Sequence, residues 1–212
     1  MKRSNNLRLA RFRKKVPTAT VAALSVTLAV SGCAPAPMET AQIYTNVDEC
    51  VSQYPDQPQL CEQVFGSAQV EHLATAPRFE TQAACESEFG AEACQAAPEG
   101  SQGNSFGGSW FMPMMMGYMM GNLLSGNRSP RYAPVYGSRS SSSPLNGKMV
   151  TGNGTVVGNI GDRTVQPNSS AFQKSAAPTR ISRAGGFGQM AAQKAAATRA
   201  TTTNRSASSF GG

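Results

Sequence analysis

Apolar and polar positions follow no single period along this chain, and each change of period marks an element. Val21 to Val30 is an almost unbroken apolar run, VAALSVTLAV, behind a stretch dense in Lys and Arg. Two later segments share one pattern: an aromatic, a cysteine six residues on, and a second aromatic four beyond that. They are Tyr44, Cys50 and Tyr54, then Phe79, Cys85 and Phe89, offset by 35 throughout. Cysteine and aromatic at i, i+4 share one helix face, so each unit predicts a short helix. Asn46 and Glu49 have capping-box spacing, Thr81 caps the second helix, and Pro55 and Gly90 stop the two. Between the units, Leu60, Val64, Phe65 and Ala68 make an apolar stripe that predicts a helix over 60–75, ended by Pro77.

Farther on, Ser109 to Leu124 is apolar almost throughout. As a helix, residues 110–124 would cover roughly 22 Å, short of the ~30 Å core of a bilayer. Residues 148–157 predict one hairpin about Gly152-Asn153, and an isolated hairpin is marginal in water. The rest of 125–212 is dominated by Gly, Ser, Thr, Ala and Pro. Such a segment buries too little apolar surface to offset its ordering entropy. The expected fold is a small, mainly α, disulfide-stapled head with two Cys-containing repeat units, and a low-complexity, mostly disordered remainder. The expected order is a signal at 1–32, a tether at 33–43, and an acidic head at 44–98. A Gly/Ser linker at 99–108, a Met-rich apolar segment at 109–124 and a basic tail at 125–212 follow.

The start of the chain gives the clearest chemistry. A basic n-region, an apolar h-region and then small residues form a secretory signal. Val30-Ser31-Gly32-Cys33 fills the lipobox version of the cleavage site. Its thiol at Cys33 is the diacylglycerol acceptor, and the small neighbours admit the peptidase. Counted from Val16 the apolar stretch is 15 residues, interrupted by Pro17, and a spanning helix needs ~20. Attachment to a membrane is therefore expected through acylated Cys33.

Cleavage changes the charge balance. The whole chain is formally +7, but seven basic residues lie in the signal. The remainder holds 12 Lys plus Arg against 12 Asp plus Glu, and they are segregated. Residues 33–124 carry 11 acids and one base, Arg78; residues 125–212 carry 11 bases and one acid, Asp162. Outside the cytoplasm a basic tail has anionic lipid phosphates, an anionic envelope polymer, a protein partner or its own acidic head to meet. Nucleic acid is not an expected partner, because the chain is exported and lacks aromatics interleaved with its bases.

Four cysteines besides Cys33, in an exported chain, imply two disulfides. Three connectivities exist, and the repeat favours Cys50–Cys61 and Cys85–Cys94. Zinc is disfavoured, because the ten- and eight-residue gaps do not match C-x2-4-C pairs.

In the Met-rich segment, Trp110, Phe111, Met112, Met114, Met115, Met116, Tyr118, Met119 and Met120 are candidate contacts with membrane or partner. The run packs on the head or a partner with methionine as adaptable filler, or lies in a membrane interface with Trp110 and Tyr118 at headgroup level. A third alternative is copper(I) binding by the thioethers, which are soft ligands. The one histidine, His72, has no second histidine or free thiol beside it, and reads as a solvated helix residue. No phosphate-binding loop or nucleophile elbow occurs. No catalytic residue, resident metal or cofactor is expected. Gly185-Gly186-Phe187-Gly188 interrupts the tail, as a short recognition element or a spacer.

The basic signal, the lipobox and the paired Tyr-x5-Cys and Phe-x5-Cys units lie in one order with Trp110-Phe111-Met112-Pro113, Gly117-Tyr118-Met119-Met120-Gly121 and the Gly185–Gly188 element. Together they resemble the YgiB-like lipoproteins of Gram-negative bacteria over nearly the whole chain. The resemblance implies an envelope protein of unassigned activity. It also implies the outer membrane, because Ala34 follows Cys33 where Asp would signal retention. The expected function is a non-enzymatic structural or interaction module, with copper(I) handling by the Met-rich segment as the alternative.

Overall fold

A computed structural model describes residues 38–98, 109–121, 130–175 and 177–207. The signal, Cys33, the start of the tether, the linker at 99–108 and the end of the Met-rich segment lie outside the described residues.

The three predicted helices form where their caps and stops place them. Helix α1, Val47–Gln53, begins at Asn46, whose side chain accepts from the Glu49 N–H at 2.9 Å. Glu49 reaches back to the Thr45 N–H at 2.7 Å rather than to that of Asn46, a capping box displaced by one residue. Helix α2, Pro58–Thr75, opens on a proline whose missing N–H costs nothing there. Helix α3, Gln82–Phe89, is capped by Thr81, which accepts from the Ala84 N–H at 3.1 Å. Cys50 is bonded to Cys61 and Cys85 to Cys94. The first bridge ties α1 to α2, and the second ties α3 to the strand after it.

The regular elements that remain in the described chain before residue 186 are strands, apart from one short 3-10 turn. Strands β1 (Ala41–Tyr44), β5 (Gly117–Gly121), β6 (Tyr132–Gly137), β7 (Lys148–Thr151), β8 (Val156–Asn159) and β9 (Thr164–Val165) form a six-stranded antiparallel sheet. Its order is β8-β7-β6-β5-β1-β9, with Ile43 opposite Met119, Met119 opposite Ala133 and Val135 opposite Thr151. Strands β8 and β9 occupy opposite edges, yet only residues 160–163 join them. The sheet must roll until its edges meet. A Cβ on Gly158 of β8 would stand 2.8 Å from Val165 Cγ1 of β9. A second sheet, in the order β10-β2-β4-β3, contains β2 (Arg78–Phe79), β3 (Cys94–Ala96), β4 (Phe111–Pro113) and β10 (Arg180–Ile181). A short 3-10 turn, Ser169–Phe172, and helix α4, Gly186–Ala207, complete the chain.

Period-two alternation distributes the core. Ile43, Met119, Val135, Met149, Val157 and Val165 point into the roll. Tyr44, Tyr118 and Met120, one residue out of phase, pack under α1 and α2 with Cys50, Cys61 and Val64. Tyr136 and Val150 face the second sheet, where they meet Phe79, Phe89, Met112, Ile181 and Phe187.

The structure corrects the expected fold class. The chain is mixed α/β with two sheets, not a mainly α head on a disordered remainder. Strands of two to six residues give too brief an alternation to register, and the tail's few apolar residues suffice because the head and the methionines supply the opposite walls. The predicted hairpin forms as β7 and β8, with the rest of the rolled sheet beside it. Tether, Met-rich segment and tail share that sheet, since β1 pairs with both β5 and β9.

Charge segregation has a structural outcome. The ion pairs Arg131–Glu39 (2.5 Å), Arg163–Glu49 and Lys174–Glu71 (3.3 Å) each join the basic half to the acidic half. Of the partners open to the tail, these contacts use the acidic half of its own chain, Glu39 in the tether and Glu49 and Glu71 in the head.

Candidate functional site

The methionine run is structural for the most part. Met112, Tyr118, Met119 and Met120 are buried, Trp110, Phe111, Met115 and Met116 are half-buried, and Met114 is 46% exposed. The run is the two strands β4 and β5, not a helix, so neighbouring side chains leave on opposite faces. Met112, Met119 and Met120 consequently enter three different cores. This removes the run as a continuous membrane-facing surface. Met112, Met119 and Met120 therefore do not converge as one thioether set for copper(I), while Met116 packs with the Met119 core and Met115 with that of Met120. Met112 Sδ instead accepts from Arg78 Nη1 at 2.7 Å.

The expectation of a solvated His72 is likewise corrected. The last turn of α2 turns it inward against β6, where Nδ1 meets the Tyr136 hydroxyl at 3.0 Å. Burial first, and the nearby Arg78 charge second, push its pKa down to about 4, so near neutral pH the ring is uncharged. Arg78 is itself buried. It donates from Nη2 to the Leu73 carbonyl at 2.6 Å, so the C-terminal end of α2 serves as its negative pole. Glu88 is the mirror case. Its buried carboxyl accepts from the Gly188 N–H (3.1 Å) at the N-terminus of α4 and from the Ser143 hydroxyl (2.9 Å). That explains Gly185-Gly186-Phe187-Gly188. Gly185 has φ +81°, Phe187 fills the core, and Gly188 lets the Glu88 carboxyl approach the backbone. The element is a joint, neither recognition sequence nor spacer.

An open groove of about 600 Å³ remains, running along the outer face of α2. Glu62, Gly66, Val70 and Glu71 line one side, and Tyr132 and Lys174 line the other. Val70 is 69% exposed. Glu71 is only 8% exposed, and its Oε2 meets Lys174 Nζ in an ion pair at 3.3 Å, long for a charge-assisted hydrogen bond. Burial raises the Glu71 pKa, with the Lys174 charge acting against it. Lys174 is better held by Tyr132, donating to its hydroxyl at 2.7 Å and lying 4.5 Å above its ring. Nothing lies within 4 Å of where a Gly66 Cβ would stand. Sequence reasoning missed this groove. Its one signal was Gly66, a glycine inside a strong helical pattern without a cap to explain it.

Among the described residues, no cluster of His, Cys, Asp and Glu is arranged to hold a metal, and no helix is long and apolar enough to cross a membrane. The class defined by fold and site is a disulfide-braced, rolled-sheet protein carrying an open helix-side groove. The chain belongs to the family described as "Protein of unknown function (DUF1190)", whose model matches residues 38–198. This is the YgiB-like resemblance read from the sequence. The chain is 35% identical to a UPF0441 protein of Erwinia tasmaniensis, across 100% of this chain and 96% of that one. It is 33% identical to a UPF0441 protein of Serratia proteamaculans across the whole of both chains. No solved structure matches.

Proposed function

We propose that this protein is a non-enzymatic lipoprotein of the Gram-negative envelope that binds a partner through the groove along α2. Acylated Cys33 holds it to the outer membrane with its folded part in the periplasm. The observation that carries the binding role is the pairing of an open groove with a buried acid, Glu71, whose Oε2 is met by the exposed Lys174 ammonium in a long, 3.3 Å ion pair. The lipobox and the two disulfides support an exported, anchored chain. Only residues 34–37 separate Cys33 from Met38, so the tether reaches at most about 18 Å and keeps the binding surface near the headgroups. The non-enzymatic reading is supported by His72 turned into the core and by four cysteines taken up in bridges.

In-cell photocrosslinking from position 70 tests both parts. The expected result is one protein adduct of defined mass in the membrane fraction, lost from Gly66→Leu and released from membranes by Cys33→Ser. An adduct that survives Gly66→Leu overturns the groove. A Cys33→Ser chain that still sediments with membranes at full mature size overturns the anchor.

A further inference from the structure

We infer that the groove is a seat for a cationic side chain, a primary ammonium carried on a short peptide, and that Lys174 is a resident substitute which the ligand displaces from Glu71. The inference rests on reading the groove as the binding surface, and it names what that surface takes.

Glu71 supplies the anchor. A buried acceptor that is poorly bonded is costly, and the ammonium nearest it stands at 3.3 Å, longer than a charge-assisted hydrogen bond prefers. An incoming ammonium free to settle at ~2.8 Å would make a shorter and stronger charge-assisted bond than Lys174 does.

Lys174 is built to yield. Its side chain is 57% exposed, and it stands outside any helix or strand. Its shorter hydrogen bond, at 2.7 Å, and its ring contact both go to Tyr132. It can therefore leave Glu71 and remain parked on Tyr132, so displacement gives up only the ion pair.

The floor suits a methylene stem. Gly66, Ser67, Val70 and Ala74 offer small or apolar surface along α2. A glycine inside a helix is disfavoured relative to alanine, and open space shows that the fold does not need one at 66. Room is thereby kept for something that approaches the helix closely. Glu62 adds a second acid at the far end, and the helix between Glu62 and Thr75 is about 20 Å long, the span of an extended peptide of about six residues. Charge selects the occupant. Once Lys174 has moved aside onto Tyr132, Glu62 and Glu71 repel an anionic polymer, and an acyl chain offers Glu71 nothing in exchange for its ion pair.

The test is calorimetric titration of the full chain in non-ionic detergent micelles. The probe is the blocked peptide Ala-Ala-Lys-Ala-Ala, compared with the same peptide carrying norleucine for lysine. The lysine peptide is expected to bind, and the norleucine peptide to bind about tenfold more weakly or worse. Glu71→Gln should lose the same factor, and Lys174→Ala should bind several-fold tighter because the internal competitor is gone. Gly66→Leu should melt at a higher temperature than wild type and bind neither peptide, so its loss of binding is not a loss of fold. Equal binding of both peptides, no binding by wild type and Lys174→Ala, or an unaffected Glu71→Gln overturns the cation seat alone. Weaker or unchanged binding by Lys174→Ala overturns displacement. Full binding by Gly66→Leu overturns the groove itself, and the functional reading with it.

Discussion

Gly188→Ala tests the joint between α3 and α4. The added Cβ would stand 2.5 Å from Glu88 Oε2 and 3.0 Å from Pro144 Cδ and Cγ. A carbon and an oxygen need more than 3 Å, so the carboxyl must retreat by roughly 0.7 Å or more. It has nowhere to go. Glu88 is fully buried, and its two oxygens are held by the Gly188 N–H and the Ser143 hydroxyl. Overpacking costs about 1–3 kcal/mol, and losing one of those hydrogen bonds about 1–2 kcal/mol more. Alanine's better helix propensity returns up to about 1 kcal/mol. The net expectation is a loss of about 2–4 kcal/mol. The assay is urea unfolding of the mature chain with Cys33→Ser, followed by far-UV circular dichroism and by the single tryptophan, Trp110. A double-mutant cycle isolates the cause. With Glu88→Ala in place, the carboxyl is gone, and Gly188→Ala should cost at least about 1 kcal/mol less than it does alone. A cost below about 1 kcal/mol in the wild-type background, or no coupling with Glu88, refutes the reasoning.

Acid should weaken the fold through His72. Its ring takes up a proton at about pH 4 in the fold, against 6.5 for an ordinary histidine. Between those values the unfolded chain binds more protons, so stability falls as pH falls, by about 2–3 kcal/mol from pH 7 to 4.5. Urea midpoints at the two pH values measure it, and His72→Gln should remove that share while leaving the carboxyl background. Breaking either bridge, by Cys50→Ala with Cys61→Ala or Cys85→Ala with Cys94→Ala, should cost roughly 3 kcal/mol; the same unfolding assay would show an unchanged midpoint if the bridges do no work. Copper(I) titrated under reducing conditions should bind no more tightly than it does to a chain with Met112, Met119 and Met120 changed to Leu, because those sulfurs sit in separate cores. At Met119 and Met120 the change conserves volume and should cost less than about 1.5 kcal/mol each, whereas Met112→Leu also takes an acceptor from buried Arg78 and should cost more.

What the sequence determined by itself is local. Asn46, Thr81, Pro55, Pro58, Pro77 and Gly90 act within a turn of where they stand, and helices α1, α2 and α3 start and stop on them. The two disulfides close loops of 11 and 9 residues, short enough for the repeat to reveal their pairing. Gly152-Asn153-Gly154, with Gly154 at φ +76°, turns its hairpin for the same reason. Tertiary structure decided what depends on distant neighbours. Met119 and Met120 belong to a strand, and to opposite faces of it, only because Ile43 and Gln42 lie across from them. His72 is uncharged because Tyr136, sixty-four residues away, closes over it. Gly66 and Glu71 line a groove only because Tyr132 and Lys174 arrive to wall it. Helix caps and short turns are settled by interactions a few residues long, whereas strand faces, burial and pKa depend on partners that the fold alone brings into contact.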